Sequence, residues 1–383
     1  MYPLQCRVRV LISAGEASGE KYAAQLIETL RRQASVQFFG VGGERMRAAG
    51  CETVVDSKDL AVIGITEIVS HLPRIYGLFH KLMAAADTHR PDLAIVIDSP
   101  AFNWRVARQM HKRGIPVVYY VCPQFWAWRQ GRVRLLRKYV DKALVIFPFE
   151  EKFYRDRGVD ATFVGHPLAG LAKPAISRDD YAAQHRLDAG KAWITLMPGS
   201  RVNEVRMNLP VILEAARRLG PSYEFLLPVA PTLEQSRFTI LIGDIPVRLV
   251  PDALPALAHS RAGIIASGTA TVEAALMGTP FVMVYRVSGA TYLLGRSRIK
   301  VPYFAMVNLI AGKRIVPELV QDNFTAEKAV AEIVKILSEG QAREAMVAGL
   351  AGVRAALRGS ADMPPAAEQA AEAILLISRQ RKS

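Results

Sequence analysis

Short apolar runs rich in β-branched residues alternate with segments of helical periodicity along almost the whole chain. The runs VRVLIS (8–13), VQFFGV (36–41), DLAIVID (92–98), PVVYYV (116–121), KALVIF (142–147) and ATFVG (161–165) are nearly continuous in apolar character, as strands buried on both faces are. Between them, residues 21–32 and 104–113 place apolar side chains three and four positions apart. This alternation implies a parallel sheet covered by helices on both faces. The pattern breaks at the polar stretch 169–191 and restarts with WITLM (193–197), YEFLLPV (223–229), VRLV (247–250), AGIIAS (262–267) and PFVMVY (280–285). A chain of 383 residues exceeds one ordinary core. We therefore expect two Rossmann-like domains, residues 1–170 and 171–345, with a helical segment 346–383 packing back on the first. The carboxyl ends of both sheets would face a shared cleft, where open α/β sheets take their ligands.

Lysine and arginine number 49 against 35 acidic residues, a net charge of +14. Such a balance favours anionic partners: nucleic acid, phosphorylated metabolites or an acidic membrane surface. Basic residues are spread along the chain without an RNP or OB-type signature, which argues against nucleic acid. Cys6, Cys51 and Cys122 form no CxxC pair and are expected to be packing residues in a reducing compartment, with no metal site. The first residues lack the apolar core of a signal peptide, and no run reaches the ~18 apolar residues of a membrane span. Any membrane contact is expected to be peripheral.

Four turns at strand ends carry the chemistry. In LMPGSRVNEVRMNLP (196–210), Gly199 lets the backbone bend and approach a ligand, and the following helix offers unpartnered first-turn N–H groups. Arg201 adds forked donors suited to phosphate oxygens; the alternative is an ordinary turn with a solvated arginine. In SGTATVEAAL (267–276), small residues would let a diphosphate rest on helix amides, with Ser267, Thr269 and Thr271 as hydroxyl donors and Glu273 one helical turn on for ribose hydroxyls. The first turn, SAGEASGEKYAAQL (13–26), is not GxGxxG, and its glutamates would repel phosphate. Gly15, Glu16 and Ser18 there suit a sugar's hydroxyls, unless Ser18 merely caps the helix. In DLAIVIDSPAFNW (92–104) the strand delivers Asp98, a candidate base, with Ser99 and Asn103 near enough in sequence to orient a hydroxyl. A loop-bracing aspartate is the competing role.

Two further stretches suit an amphiphilic partner. Residues 122–138 interleave Phe125, Trp126 and Trp128 with Arg129, Arg132, Arg134, Arg137 and Lys138, a mixture fitted to a membrane interface, a phosphorylated amphiphile or a single-stranded nucleic acid. Residues 60–83 carry Ile63, Ile65, Ile68, Val69, Leu72, Ile75, Leu78, Phe79 and Leu82 with few charges, which suits a greasy site or membrane edge, or else a packed helical hairpin.

The motifs GEASGE (15–20), IDSPAFN (97–103), PQFWAWRQGR (123–132), FPFEEKFY (147–154), GHPL (165–168), LMPGSR (196–201), SGTATVEAAL (267–276), VPYFAMVNLI (301–310) and VPELVQ (316–321) occur in the order and spacing of the lipid-A-disaccharide synthases. The resemblance covers residues 11–326. It implies the GT-B fold, with inverting transfer from a UDP-2,3-diacylglucosamine donor to 2,3-diacylglucosamine 1-phosphate (lipid X). It further implies no cofactor, a peripheral place on the anionic cytoplasmic face of the inner membrane, and no nucleic-acid partner. A homodimer is left open. Asp98 then stands as candidate base, with Arg201, Glu273 and Asn308 around UDP. The sequence departs from the family pattern at Glu20 and Ala101, where aspartates are usual, and at Val307, where proline is usual. A UDP-N-acetylglucosamine 2-epimerase on the same architecture is the nearest rival, and a non-catalytic RNA-binding or membrane-adaptor protein a more distant one.

Overall fold

The computed structural model describes residues 8–61, 68–170, 173–230, 233, 235–289, 292–293, 301–360 and 362–380. The chain divides into two compact units, Met1–Gly170 with Leu357–Ser383, and Leu171–Ala356. In the first, strands β1 (Val8–Ala14), β2 (Val36–Gly42), β3 (Cys51–Asp56), β4 (Leu93–Ile97), β5 (Val117–Tyr120), β6 (Lys142–Val145) and β7 (Ala161–Phe163) form one sheet in the order β3-β2-β1-β4-β5-β6-β7. Every pairing is parallel. The order reverses between β1 and β4, which opens a crevice at their carboxyl ends.

The second unit repeats the scheme. Strands β8 (Ala192–Met197), β9 (Tyr223–Pro228), β10 (Val247–Val250), β11 (Ala262–Ala266), β12 (Phe281–Tyr285) and β13 (Glu318–Val320) run parallel in the order β10-β9-β8-β11-β12-β13. Here the switch lies between β8 and β11. The α/β class and paired parallel sheets expected from the alternation are therefore present. All five residues of β4 and all five of β11 are buried, which is why both appear in the sequence as unbroken apolar runs. The edge strands β3 and β13 were not anticipated: CETVVD keeps Glu52 exposed, and β13 has only three residues.

The C-terminal helix Ala366–Gln380 packs on the helix Ala17–Gln33 that follows β1. Two bonds anchor its approach: His166 N donates to Leu357 O at 2.9 Å, and Arg358 Nε to Ala169 O at 3.1 Å. The stretch 60–83 enters a helix Ile68–His89 with Pro73 inside it. Leu82 is buried, Ile75, Leu78 and Phe79 are half-buried, and the Phe79 ring meets Phe102 edge-on at 5.9 Å. Ile63 and Ile65 lie outside the described residues, as do the side chains of Ile68, Val69 and Leu72. In 122–138, Phe125 and Trp126 belong to the core, whereas Trp128 is 47% exposed with the Arg129 guanidinium 4.2 Å over its ring. Cys51 and Cys122 are buried and free; Cys6 lies outside the described residues.

Candidate active site

In the first unit the β1–β4 crevice brings together residues 79 and 84 positions apart in sequence. A methyl group at Gly15 would fall 2.6 Å from Ser99 Oγ, and one at Gly19 would touch Asp98 Cβ at 3.6 Å. The absent side chains let the two turns close on each other. Glu16, exposed, is the N-cap residue of the helix Ala17–Gln33; Ser18, exposed in its first turn, is therefore not the cap. Asp98 and Ser99 both hold left-handed backbone conformations, φ 48° and 45°, a state that costs a non-glycine residue of order 1 kcal/mol or more and needs surrounding support.

That support comes from two buried side chains. Asn103 is fully buried, and its Nδ2 donates to Asp98 O and Ile97 O at 2.9 Å and to Ser13 O at 3.2 Å, while its Oδ1 accepts from Ser13 Oγ at 2.7 Å. The Tyr119 hydroxyl donates to Asp98 O at 2.7 Å. Burial, then the nearby Asp98 carboxylate, with smaller effects of Cys122 and Glu16, pushes the Tyr119 hydroxyl well above its ordinary range, so it remains a donor. Asn103, expected to orient a hydroxyl, thus braces the Asp98 turn from within, its amide engaged by the protein.

In the second unit, the turns after β8 and β11 flank the other switch point. Gly199 has φ 124°, and Glu204 folds back beneath it, its Oε2 accepting from Ser200 N at 3.0 Å and Arg201 N at 3.3 Å. Arg201 is 71% exposed at its side chain and pairs through Nη1 with Glu204 Oε1 at 3.0 Å. Two amides expected to meet an anion are therefore held by a carboxylate of the same helix. Asn208, buried, ties the turn to the end of β12: Nδ2 donates to Pro198 O at 2.9 Å, and Oδ1 accepts from Arg286 N at 2.9 Å. Neither Glu204 nor Asn208 was singled out from sequence. Glu204 was not legible there, because the N-cap three residues before it is Arg201 and not the Ser, Thr, Asp or Asn of a capping signature.

Ser267 Oγ donates to Phe304 O at 2.8 Å; Thr269 is exposed at the start of the helix Thr269–Met277, and Glu273 is half-buried one turn on. Thr271 is buried, and its hydroxyl donates to Gly268 O at 2.7 Å, closing the turn. Asn308 is fully buried. Its Nδ2 donates to Val316 O at 3.0 Å and Glu318 Oε1 at 2.8 Å, and its Oδ1 accepts from the amides of Ile315 and Val316. Glu318 in turn accepts from the amides of Phe304 and Ala305. Thr271 and Asn308, expected to touch a nucleotide, have their polar atoms engaged by protein partners and shape the loops that carry them.

The family model described as lipid-A-disaccharide synthetase matches residues 10–374. The chain belongs to the lipid-A-disaccharide synthase family. Relatives of that name include one from Koribacter versatilis, 51% identical over 98% of this chain and 100% of its own, and one from Myxococcus xanthus, 41% identical over 96% and 97%. The chain is accordingly a glycosyltransferase that condenses UDP-diacylglucosamine with lipid X. Among solved structures, the fold matches a glycotransferase of kitacinnamycin (TM-score 0.64, 16% identity, covering 98% of this chain and 99% of that one). It also matches a UDP-GlcNAc 2-epimerase from Neisseria meningitidis (TM-score 0.63, 11% identity, covering 98% and 100%). These likenesses establish the GT-B architecture and cannot separate transferase from epimerase. The sequence relatives do, and the epimerase and adaptor readings fall.

Two of the three departures from the family pattern have structural accounts. Glu20 reaches the next turn, where its Oε1 accepts from Arg45 N at 2.8 Å. Val307 is fully buried in the helix Met306–Ala311. Ala101 is exposed, with its carbonyl accepting from Arg105; nothing among the described residues explains the loss of an acid there.

Proposed function

We propose that Asp98 is the general base of an inverting transfer. Its carboxylate takes the proton of the acceptor 6-hydroxyl as that oxygen bonds to the donor's anomeric carbon. The anomeric carbon–oxygen bond to UDP breaks on the opposite face through an oxocarbenium-like state, and UDP leaves with the electron pair. The observation that carries this reading is the braced left-handed turn at the end of β4, which holds Asp98 at the switch point beside Gly15 and Gly19. Gly15, Glu16 and Ser18 complete the acceptor side as sugar-hydroxyl contacts.

On the donor side, Arg201 and the amides opening the helix Thr269–Met277 stabilise the departing diphosphate, Ser267 and Thr269 supply hydroxyls, and Glu273 takes the ribose. Binding of the diphosphate would draw Arg201 away from Glu204. Among the described residues no helix is long and apolar enough to cross a membrane, and we infer peripheral attachment to the anionic cytoplasmic face of the inner membrane through 60–83 and the Trp128–Arg129 edge. An assay of UDP release by purified protein in detergent tests the reading. Release that requires both lipid substrates is expected; release from donor alone would contradict transfer.

A further inference from the structure

We infer a second anion site in the second unit, at the amino ends of β8 and β11, built to take a soluble phosphomonoester. A hollow of about 390 Å³ opens there, with Arg178, Lys191, Trp193, His259, Arg261 and Arg343 in its lining. The volume lies within the ~300–1,000 Å³ typical of small-molecule sites. The proposed donor turns follow the carboxyl ends of the same strands. Six residues of β8 separate the two edges by about 17 Å, so the hollow is not part of the site described above.

Its cations are held in place from behind. Arg178 donates to Ala189 O at 2.8 Å and Lys191 O at 2.7 Å, and its guanidinium lies 4.3 Å over the buried Trp193 ring. Arg261 Nε donates to Leu337 O at 2.8 Å, and Arg343 Nη1 to Ile336 O at 2.7 Å and Arg261 O at 2.9 Å. These bonds fix each guanidinium while leaving N–H donors of the fork for another acceptor. Lys191 Nζ has no partner among the described residues.

Charge makes the arrangement unusual. Four cations face one hollow, and the only carboxylate paired with them among the described residues is Glu339, 2.7 Å from Arg261 Nη1, 3.9 Å from Arg343 Nε and itself 76% exposed. The Arg343 side chain is only 15% exposed. Its pKa is lowered, first by burial and then by the charge of Arg261. Like charges gathered in a partly desolvated hollow favour a bound dianion. Trp193, the large apolar residue of the lining, is fully buried beneath Arg178, so its ring offers no open face to an acyl chain. The phosphate therefore comes from a soluble molecule and not from a lipid headgroup.

Calorimetric titration of the full-length protein, saturated with UDP, with glycerol 3-phosphate tests this. Binding that weakens at 0.5 M NaCl, and that falls about tenfold or more in Lys191→Glu at unchanged melting temperature, is expected for loss of one charge-assisted contact. Absence of binding, or equal affinity in the variant, would overturn the site. Flotation on phosphatidic-acid vesicles tests the source. Wild type and Lys191→Glu floating alike supports a soluble ligand, and a loss confined to the variant contradicts it.

Discussion

The Tyr119 hydroxyl donates a 2.7 Å hydrogen bond to the backbone carbonyl of Asp98, the residue that begins a pair of consecutive left-handed positions. A side chain from β5 thereby sets the direction in which β4 delivers its terminal carboxylate. Tyr119→Phe removes only this bond. Stability should fall by about 1 kcal/mol, the usual net worth of one hydrogen bond, while turnover should fall further than the small loss of folded protein explains. UDP affinity should stay the same. Turnover matching wild type in folded Tyr119→Phe would show that Asn103 alone holds the turn.

Arg201 tests the donor side. Its side chain is 71% exposed and paired with Glu204, and an exposed pair of this kind contributes little to stability. Arg201→Ala should leave the thermal midpoint nearly unchanged and lower turnover by ~10²-fold or more, since one donor to a developing charge is worth roughly 3 kcal/mol. Equal turnover in the two proteins removes Arg201 from the mechanism.

The sequence showed these elements unevenly, and the reasons are physical. Strands β4 and β11 were legible because burial on both faces makes every residue apolar. β3 and β13, at sheet edges and partly exposed, lack that signature. Gly15, Asp98, Arg201 and Ser267 were legible as strand-end positions. The partners of Asn103 and Asn308 were not, because sequence shows a polar side chain without showing which carbonyls come within 3 Å of it. Tyr119 was hidden for the opposite reason: within VVYY it resembles any buried strand aromatic, and only the fold brings its hydroxyl to Asp98.

Two buried groups give opposite pH dependences. His166, fully buried, is pushed down to about 3 from 6.5, so the unfolded chain takes up a proton that the folded protein refuses, and this stability is lost as pH falls below 6.5. Glu150 is pushed up to about 7 from 4.5 by burial, against the opposing donors Trp126 Nε1, Phe147 N and Ile146 N. Its contribution, on the order of 3 kcal/mol, is present below pH 4.5 and lost as pH rises through 7. The melting temperature of wild type minus that of Glu150→Gln should therefore shrink as pH rises from 4.5 to 7. A difference that grows with pH would mean that the three donors outweigh burial and hold the carboxylate ionised.

Membrane attachment should have an apolar and an ionic part. Tyr76 is 65% exposed and Trp128 47% exposed, whereas Phe79 leans on Phe102. Serine at Tyr76 and Trp128 should therefore reduce flotation on anionic vesicles without unfolding the protein, and Phe79→Ser should lower the melting temperature. Raising salt should weaken flotation by removing about 1 kcal/mol per basic residue near the surface, leaving the apolar part. Flotation of the double variant equal to wild type would place the contact elsewhere.

The most direct test of the account is Asp98→Asn, with turnover, UDP affinity and thermal midpoint measured on one preparation. Asparagine keeps the size of the side chain and leaves the Asp98 backbone carbonyl available to Asn103 and Tyr119, but it cannot take a proton. Turnover should fall by ~10² to 10⁴, the usual worth of a general base, with UDP affinity and midpoint nearly unchanged. Wild-type turnover with a lowered midpoint would contradict the account and make Asp98 a brace for its own turn.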